Sequence, residues 1–369
     1  MKFGILMPLT IGLLLSSLLS CSSGSTNDNE KSDDAGQGGS DTGAGGDSDM
    51  DGDADSDAAV DGGDADAAAD GGSDSGLPCD ADLAKPLFDQ VASYATTITT
   101  DGDPADIYYP NPSDLATGSY HFSMILHMSG ANVKKMYYSK FATRLASYGF
   151  VVVIFEHAVT TAGVTSLMVD QSCVNKTLAF LKTENANASS PIAGKMDLSK
   201  LFLTGHSYGG MCALHTVEGG CQLPCCVGSY SRPPEVQGAA LWGTNLTVAG
   251  STPAVNNHGI PVALVQGTVD GMANPGGAVQ TYNQIQDPPK ALVGVIGANH
   301  YGECNQNNPP GALKETSTPT IDQQVAIETV ARWSAMWLRA VVLNDPKAKE
   351  YFFSCGDSSD PNVTVKSVH

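Results

Sequence analysis

Ser207 stands in Gly205-His-Ser-Tyr-Gly209, between the apolar run Leu201-Phe-Leu203 and a helix-like stretch that opens at Gly210. Strand, G-x-S-x-G and helix in that order read as a nucleophile elbow. The turn is so tight that small residues are needed two places before and two places after the serine. It lifts the hydroxyl to the end of a sheet, where a carbonyl carbon can reach it. A serine hydroxyl is a weak nucleophile at neutral pH, so it needs a base within hydrogen-bond reach and a third group to orient that base.

The expected chain order is serine, acid, histidine. After Ser207 the histidines are His215, His258, His300 and His369. His215 falls in the helix behind the elbow. His258 falls in a loop before a strand, at the wrong end of the sheet, and His369 is the last residue. His300 alone follows a strand directly, in the loop Gly297-Ala-Asn-His300, and is the expected base. The acid should end the preceding strand, and Asp270 does so in Gly267-Thr-Val-Asp270. Asp287, in Asp-Pro-Pro, and Glu235, in a Pro-rich loop, read as surface charges. Asp270 would fix the tautomer of His300 and stabilise its imidazolium without taking the proton. An oxyanion needs preset backbone N–H groups. Tyr208, directly after the serine, should supply one, and Ala131 in the small loop Ser129-Gly-Ala131 the other. His127, His157 and His206 read as structural. Trp242 fits a cleft wall or the core equally well.

The elements that must position these residues alternate. Strands are expected over Val91 to Thr100, Ala105 to Tyr109, His121 to Met128, Phe150 to Phe155, the elbow run, Gly238 to Trp242, Pro261 to Gln266 and Ala291 to Ile296. Helices are expected over Lys134 to Tyr148 (Met136, Phe141 and Leu145 inward), Leu167 to Lys182, the elbow helix to about Gly219, Gly277 to Gln286, and Asp322 to Leu343. In the last, Val325, Val330, Trp333, Trp337 and Val341 are candidate core contacts. Phe150 to Phe155 is continuously apolar, as in a strand buried on both faces. The class is α/β: a mostly parallel central sheet with helices on both faces, the α/β-hydrolase fold, with no large lid domain.

The net charge of −20 is uneven. Residues 28–74 hold 16 acidic residues and one Lys, leaving about −5 elsewhere, which favours neither nucleic acid nor anions. Residues 1–20 read as a signal peptide, with Lys2 followed by an apolar core from Ile5 to Leu19 that is too short to span a bilayer comfortably. Leu18-Leu-Ser-Cys21 resembles the lipobox of bacterial lipoproteins, in which Cys21 is lipidated; an ordinary secretory signal is the alternative. Ser22 would suit outer-membrane sorting in a Gram-negative host. Residues 21–76 are an acidic Asp/Gly/Ala/Ser linker, expected to be disordered. Within it Asp47-Ser-Asp-Met-Asp-Gly52 begins like a calcium loop, but Ala58 stands where a bidentate Glu is required. Residues 77–369 form the expected catalytic domain. Eight further cysteines suit disulfides in an oxidising compartment, with connectivity left open. A zinc reading of Cys221, Cys225 and Cys226 is poor, and no metal is expected.

Ile107-Tyr-Tyr-Pro110, Met128-Ser-Gly-Ala131, Asp197 through Gly210, Gly267-Thr-Val-Asp270 and Gly297-Ala-Asn-His-Tyr301 resemble bacterial cutinases and poly(ethylene terephthalate) hydrolases, within the dienelactone-hydrolase and chlorophyllase-like group. The resemblance covers roughly residues 90–355, and Tyr351-Phe-Phe-Ser-Cys355 looks like the family's C-terminal disulfide segment. It implies a lidless enzyme that cleaves carboxylic esters through Ser207, Asp270 and His300 without a cofactor. The expected partners are an ester substrate and a membrane met only through the lipid anchor, with no nucleic acid, and the chain is expected to be a monomer. Two departures stand out. Ala131 replaces the usual aromatic of the first oxyanion loop, and Asn245 or Leu246 falls nearest the place of the ring-clamping Trp. Residues 219–237 look like a Cys- and Pro-rich insertion at the cleft rim. The alternatives are a lipase, an acyltransferase with the same triad, or a non-catalytic binding module on this fold.

Overall fold

The computed structural model describes residues 79–369. The expected signal peptide, the linker and Cys21 lie outside them. Nine strands form one sheet in the order β1-β2-β4-β3-β7-β8-β9-β10-β11. They are β1 (Val91–Ile98), β2 (Asp103–Pro110), β3 (Phe122–Met128), β4 (Phe150–Phe155), β7 (Met196–His206), β8 (Val236–Trp242), β9 (Val262–Gly267), β10 (Lys290–Val295) and β11 (Val363–Val368). The run from β4 to β10 is parallel, while β1, β2 and β11 pair antiparallel at the edges.

The central strands are largely apolar because both faces are covered, and successive side chains feed different cores. Ile125, Val152 and Phe202 pack in one cluster with Phe141, Leu145, Trp333 and Trp337, from helices α1 (Ser139–Ser147) and α5 (Gln323–Val341). Their neighbours Met124, Leu126, Val151, Val153, Leu201 and Leu203 pack on the other face. There they meet Val174, Leu178, Ala213 and Leu214, from α2 (Ser172–Ala186) and α3 (Tyr208–Glu218). Helix α4 (Pro275–Gln284) adds Tyr282 to this second cluster.

Several expectations needed correction. The helix placed over Lys134 to Tyr148 divides into a 3-10 turn, Lys135–Tyr138, and α1, and Met136 is 58% exposed. The helix placed at Leu167 starts at Ser172. The Asp170 carboxylate accepts from the Ser172 and Cys173 N–H groups and so caps its first turn. The chain before it is a hairpin, β5 (Ala158–Thr161) and β6 (Val164–Leu167), turning at Ala162 and Gly163, both with positive φ. Val325 is exposed, whereas Val330, Trp333 and Trp337 are buried. The edge strand β11 had no sequence expectation.

Disulfides join Cys79 to Cys355, Cys212 to Cys225 and Cys221 to Cys226. The zinc reading of the last group is thereby removed, since all three of its sulfurs are covalently paired. Cys173 and Cys304 are free and buried. Among the described residues no helix is long and apolar enough to cross a membrane.

Candidate active site

Ser207 links the end of β7 to the start of α3 with φ 53° and ψ −121°, a left-handed φ that costs a non-glycine residue energy. The surroundings hold it there. Its N–H donates to the Trp242 carbonyl at 2.9 Å, and its carbonyl accepts from Met211 N–H at 2.9 Å. The flanking glycines are required by contact. A Cβ on Gly205 would lie 2.9 Å from backbone atoms of Gly209 and Gly210, and one on Gly209 would overlap the Met128 carbonyl.

Asp270 follows β9 and His300 follows the loop after β10, so both lie beyond the C-terminal ends of parallel strands, on the same edge as Ser207. His300 Nδ1 is 2.9 Å from Asp270 Oδ2 and 3.1 Å from Oδ1, and both residues are buried. Asp270 is held independently of the histidine. Its Oδ1 accepts from Met272 and Ala273 N–H at 2.9 and 2.7 Å, and its Oδ2 from Gln266 Nε2 at 2.9 Å. Gly243 packs over the pair: a Cβ there would be 3.3 Å from both Asp270 Oδ2 and His300 Nδ1. The His300 ring centroid is 4.7 Å from that of His206, the residue before the serine. Candidate base and acid are therefore in hydrogen-bond contact, and the candidate nucleophile stands at the same sheet edge, next in sequence to the His206 ring that packs on His300.

The segments that carry the two candidate oxyanion donors also approach each other there. The start of α3 abuts the end of β3, since the clash at Gly209 is with Met128 and Ser129 oxygens. Among the described residues neither the Ala131 nor the Tyr208 N–H donates to a protein acceptor. Trp242 belongs to the core: it is 1% exposed, and its Nε1–H donates to the His300 carbonyl at 2.8 Å. His215 and His258 sit apart, on Glu218 Oε2 and the Glu218 carbonyl.

Sequence reasoning missed Gln266, Gly243 and the parts of the rim. Asn132, next to Ala131, exchanges hydrogen bonds with Leu167 at the base of the β5–β6 hairpin. Tyr208 Oη donates to the Pro224 carbonyl at 3.4 Å, within the loop stapled by the Cys212–Cys225 and Cys221–Cys226 bridges. Tyr208 and the neighbour of Ala131 are thus hydrogen-bonded to segments outside the central sheet. Among the described residues two sets of side chains could ligate a metal, Asp101/Asp103/His157 and His157/Asp170/Cys173. They include neither Ser207, Asp270 nor His300, and Lys176 already pairs with Asp101 at 2.6 Å.

The family model described as PET hydrolase-like matches residues 93–367, which include every residue of the candidate site. The chain belongs to this PET hydrolase-like family. A search of curated proteins found no match. The family is one of hydrolases acting on esters, and its α/β architecture is the one described above.

Beneath the site lie two fully buried imidazoles. Burial lowers the pKa of His127 to about 3, and burial with the nearby His300 and His127 holds His206 well below the usual imidazole range. Glu303, whose Oε1 is 3.8 Å from His127 Nε2, is pushed well above the carboxylate range by burial. Unfolded imidazoles take up a proton below about pH 6.5, while these two stay neutral in the fold. The unfolded state then binds more protons, so stability is lost as pH falls from 6.5 toward 3, by up to about 1.4 kcal/mol per pH unit and imidazole. Glu303 acts in the opposite sense, keeping its proton in the fold above the usual carboxylate pKa, but two imidazoles outweigh one carboxyl. The midpoint of thermal unfolding should therefore drop between pH 6.5 and 5, and the slope should be shallower in His127→Gln. Equal slopes would show that His127 titrates alike in both states.

Proposed function

We propose that the protein is a serine esterase, a cutinase-like hydrolase cleaving carboxylic esters through an acyl-enzyme on Ser207. The reading rests above all on one observation: His300 Nδ1 is fixed on a separately anchored Asp270, at the same sheet edge as a strained Ser207. With Nδ1–H donated to Asp270, Nε2 is left as a lone pair able to accept a proton. Ser207 Oγ attacks the ester carbonyl and its proton passes to His300 Nε2. The oxyanion is met by the Ala131 and Tyr208 N–H groups. Collapse expels the alcohol, which takes that proton. Water, deprotonated by His300, then attacks the acyl carbon, and the second collapse releases the acid and restores Ser207.

A fluorophosphonate probe should label the protein, and Ser207→Ala should abolish both labelling and turnover of p-nitrophenyl esters. A folded wild type that resists the probe would remove the enzyme reading and leave a binding module. A series of p-nitrophenyl esters from short to long acyl chains would set chain-length preference, and added alcohol would expose acyl transfer by the ester it forms. We also propose export with lipidation at Cys21; the three disulfides support an oxidising compartment. Palmitate labelling lost in Cys21→Ser would test the anchor.

A further inference from the structure

We infer that Tyr138 is a positioning residue that ties the oxyanion loop to the loop bearing His300; the inference rests on the esterase reading above. Four groups form an unbroken buried chain. Gly130 N lies 2.9 Å from Tyr138 Oη, Tyr138 Oη lies 2.9 Å from His206 Nδ1, and His206 Nε2 lies 3.0 Å from the His300 carbonyl oxygen. The direction of every bond follows from its ends. A carbonyl oxygen only accepts, so His206 Nε2 carries the hydrogen. A neutral imidazole then has a lone pair on Nδ1, which must receive the Tyr138 hydroxyl hydrogen. Gly130 N–H can only donate, so it fills a lone pair on Tyr138 Oη. No member can be reversed without leaving two donors or two acceptors face to face. Tyr138 and His206 are both 0% exposed, so water offers no substitute. Burial keeps His206 neutral, as the chain requires.

Each end of the chain touches the reaction. At one end Gly130 precedes Ala131, and the Gly130 carbonyl shares its peptide plane with the Ala131 N–H. That carbonyl accepts from Val133 N–H at 3.1 Å, while Tyr138 holds the peptide before it. The plane aiming the Ala131 N–H is thus fixed from both sides. At the other end the His300 carbonyl accepts from His206 and from Trp242, which sets the backbone from which the imidazole hangs. The spacing between oxyanion donor and base is therefore a property of one side chain in a 3-10 turn that touches neither substrate nor Ser207. A Cβ at Gly130 would lie 2.7 Å from His206 Nδ1, so the loop is packed onto the same imidazole.

Tyr138→Phe keeps the ring and removes only the relay oxygen. It should lower kcat per probe-titrated active site by about 10- to 100-fold, the scale of a misaimed oxyanion donor. KM should stay within about twofold, because no surface that binds substrate changes. His206→Phe should do the same, and the double variant should be no worse than either single, since both cut one chain. His206→Gln, which offers one donor and one acceptor, should recover most of the lost kcat. A merely structural role would lower the titrated fraction or the unfolding temperature and leave kcat per titrated site unchanged. That result, or effects of Tyr138→Phe and His206→Phe that multiply, would overturn the inference. A wild type that neither labels nor turns over would instead defeat the esterase reading, and this inference with it.

Discussion

Asp270→Asn should lower kcat by about a thousand- to ten-thousand-fold in a protein that still folds. The two side chains have nearly the same shape, so packing in this buried place changes little. Their hydrogen-bond capacities differ. Asp270 Oδ1 accepts from Met272 and Ala273 N–H, which forces the oxygen of an Asn into that position. The amide nitrogen must then face Gln266 Nε2 and His300 Nδ1. Gln266 cannot simply turn its amide around, because its Nε2 also donates to the Gly267 and Ala273 carbonyls. His300 is left to accept at Nδ1 and carry its hydrogen on Nε2, the tautomer that cannot take a proton from Ser207. Steady-state kinetics with p-nitrophenyl butyrate, alongside the rate of fluorophosphonate labelling, reads this directly. A variant with wild-type rates would strike Asp270 from the catalytic set and leave His300 without its orienting partner. The same change should leave KM almost unaltered, since Asp270 is buried behind the imidazole and away from substrate.

The parts of this arrangement that could be anticipated share a physical cause. Phe150 to Phe155, Leu201 to Leu203 and Val262 to Gly267 run through a sheet covered on both faces, so their apolar residues are contiguous. Polar residues directly after such runs stand at one edge, which is why Asp270 and His300 could be named together. What stayed hidden depends on contacts between distant segments. Tyr138 lies within the stretch expected to be helical, and only the fold brings its hydroxyl to Gly130 and His206. Gln266 is the polar end of an apolar strand, and its link to Asp270 needs the turn between them. The β5–β6 hairpin has one strand with every residue exposed, so no alternation of apolar and polar residues marks it. One helix was expected over Leu167 to Lys182, whereas Leu167 pairs with Ala158 and Asn132. The Cys79–Cys355 bridge spans 276 residues, a pairing that spacing could never select among the many connectivities open to eight cysteines.

The glycines of the elbow give the second large effect. Gly209→Ala should abolish most activity and lower the unfolding temperature, although it adds a single methyl group. The methyl carbon would overlap the Met128 carbonyl and come within 2.5 Å of the Ser129 oxygen, both of them backbone. A side chain could rotate away from such a contact, but the end of β3 cannot, because β3 pairs with β4 on one side and β7 on the other. Relief must come from moving α3 away from the loop that begins at Ser129. The Tyr208 N–H rides on the first turn of that helix and the Ala131 N–H on that loop, so the methyl separates the two donors meant for one oxyanion. Overpacking of a close-packed interior costs about 1–3 kcal/mol, and more where only backbone can yield. The catalytic loss should be larger than the stability loss, since an oxyanion donor displaced by an ångström is worth about 100-fold or more. Thermal unfolding and kcat measured on one preparation separate the two. Wild-type kcat in a stable Gly209→Ala protein would mean that the Tyr208 and Ala131 N–H groups do not act as a pair. Ser207→Gly, which relaxes the strained φ and removes the nucleophile, should by contrast lose activity while keeping or raising the unfolding temperature.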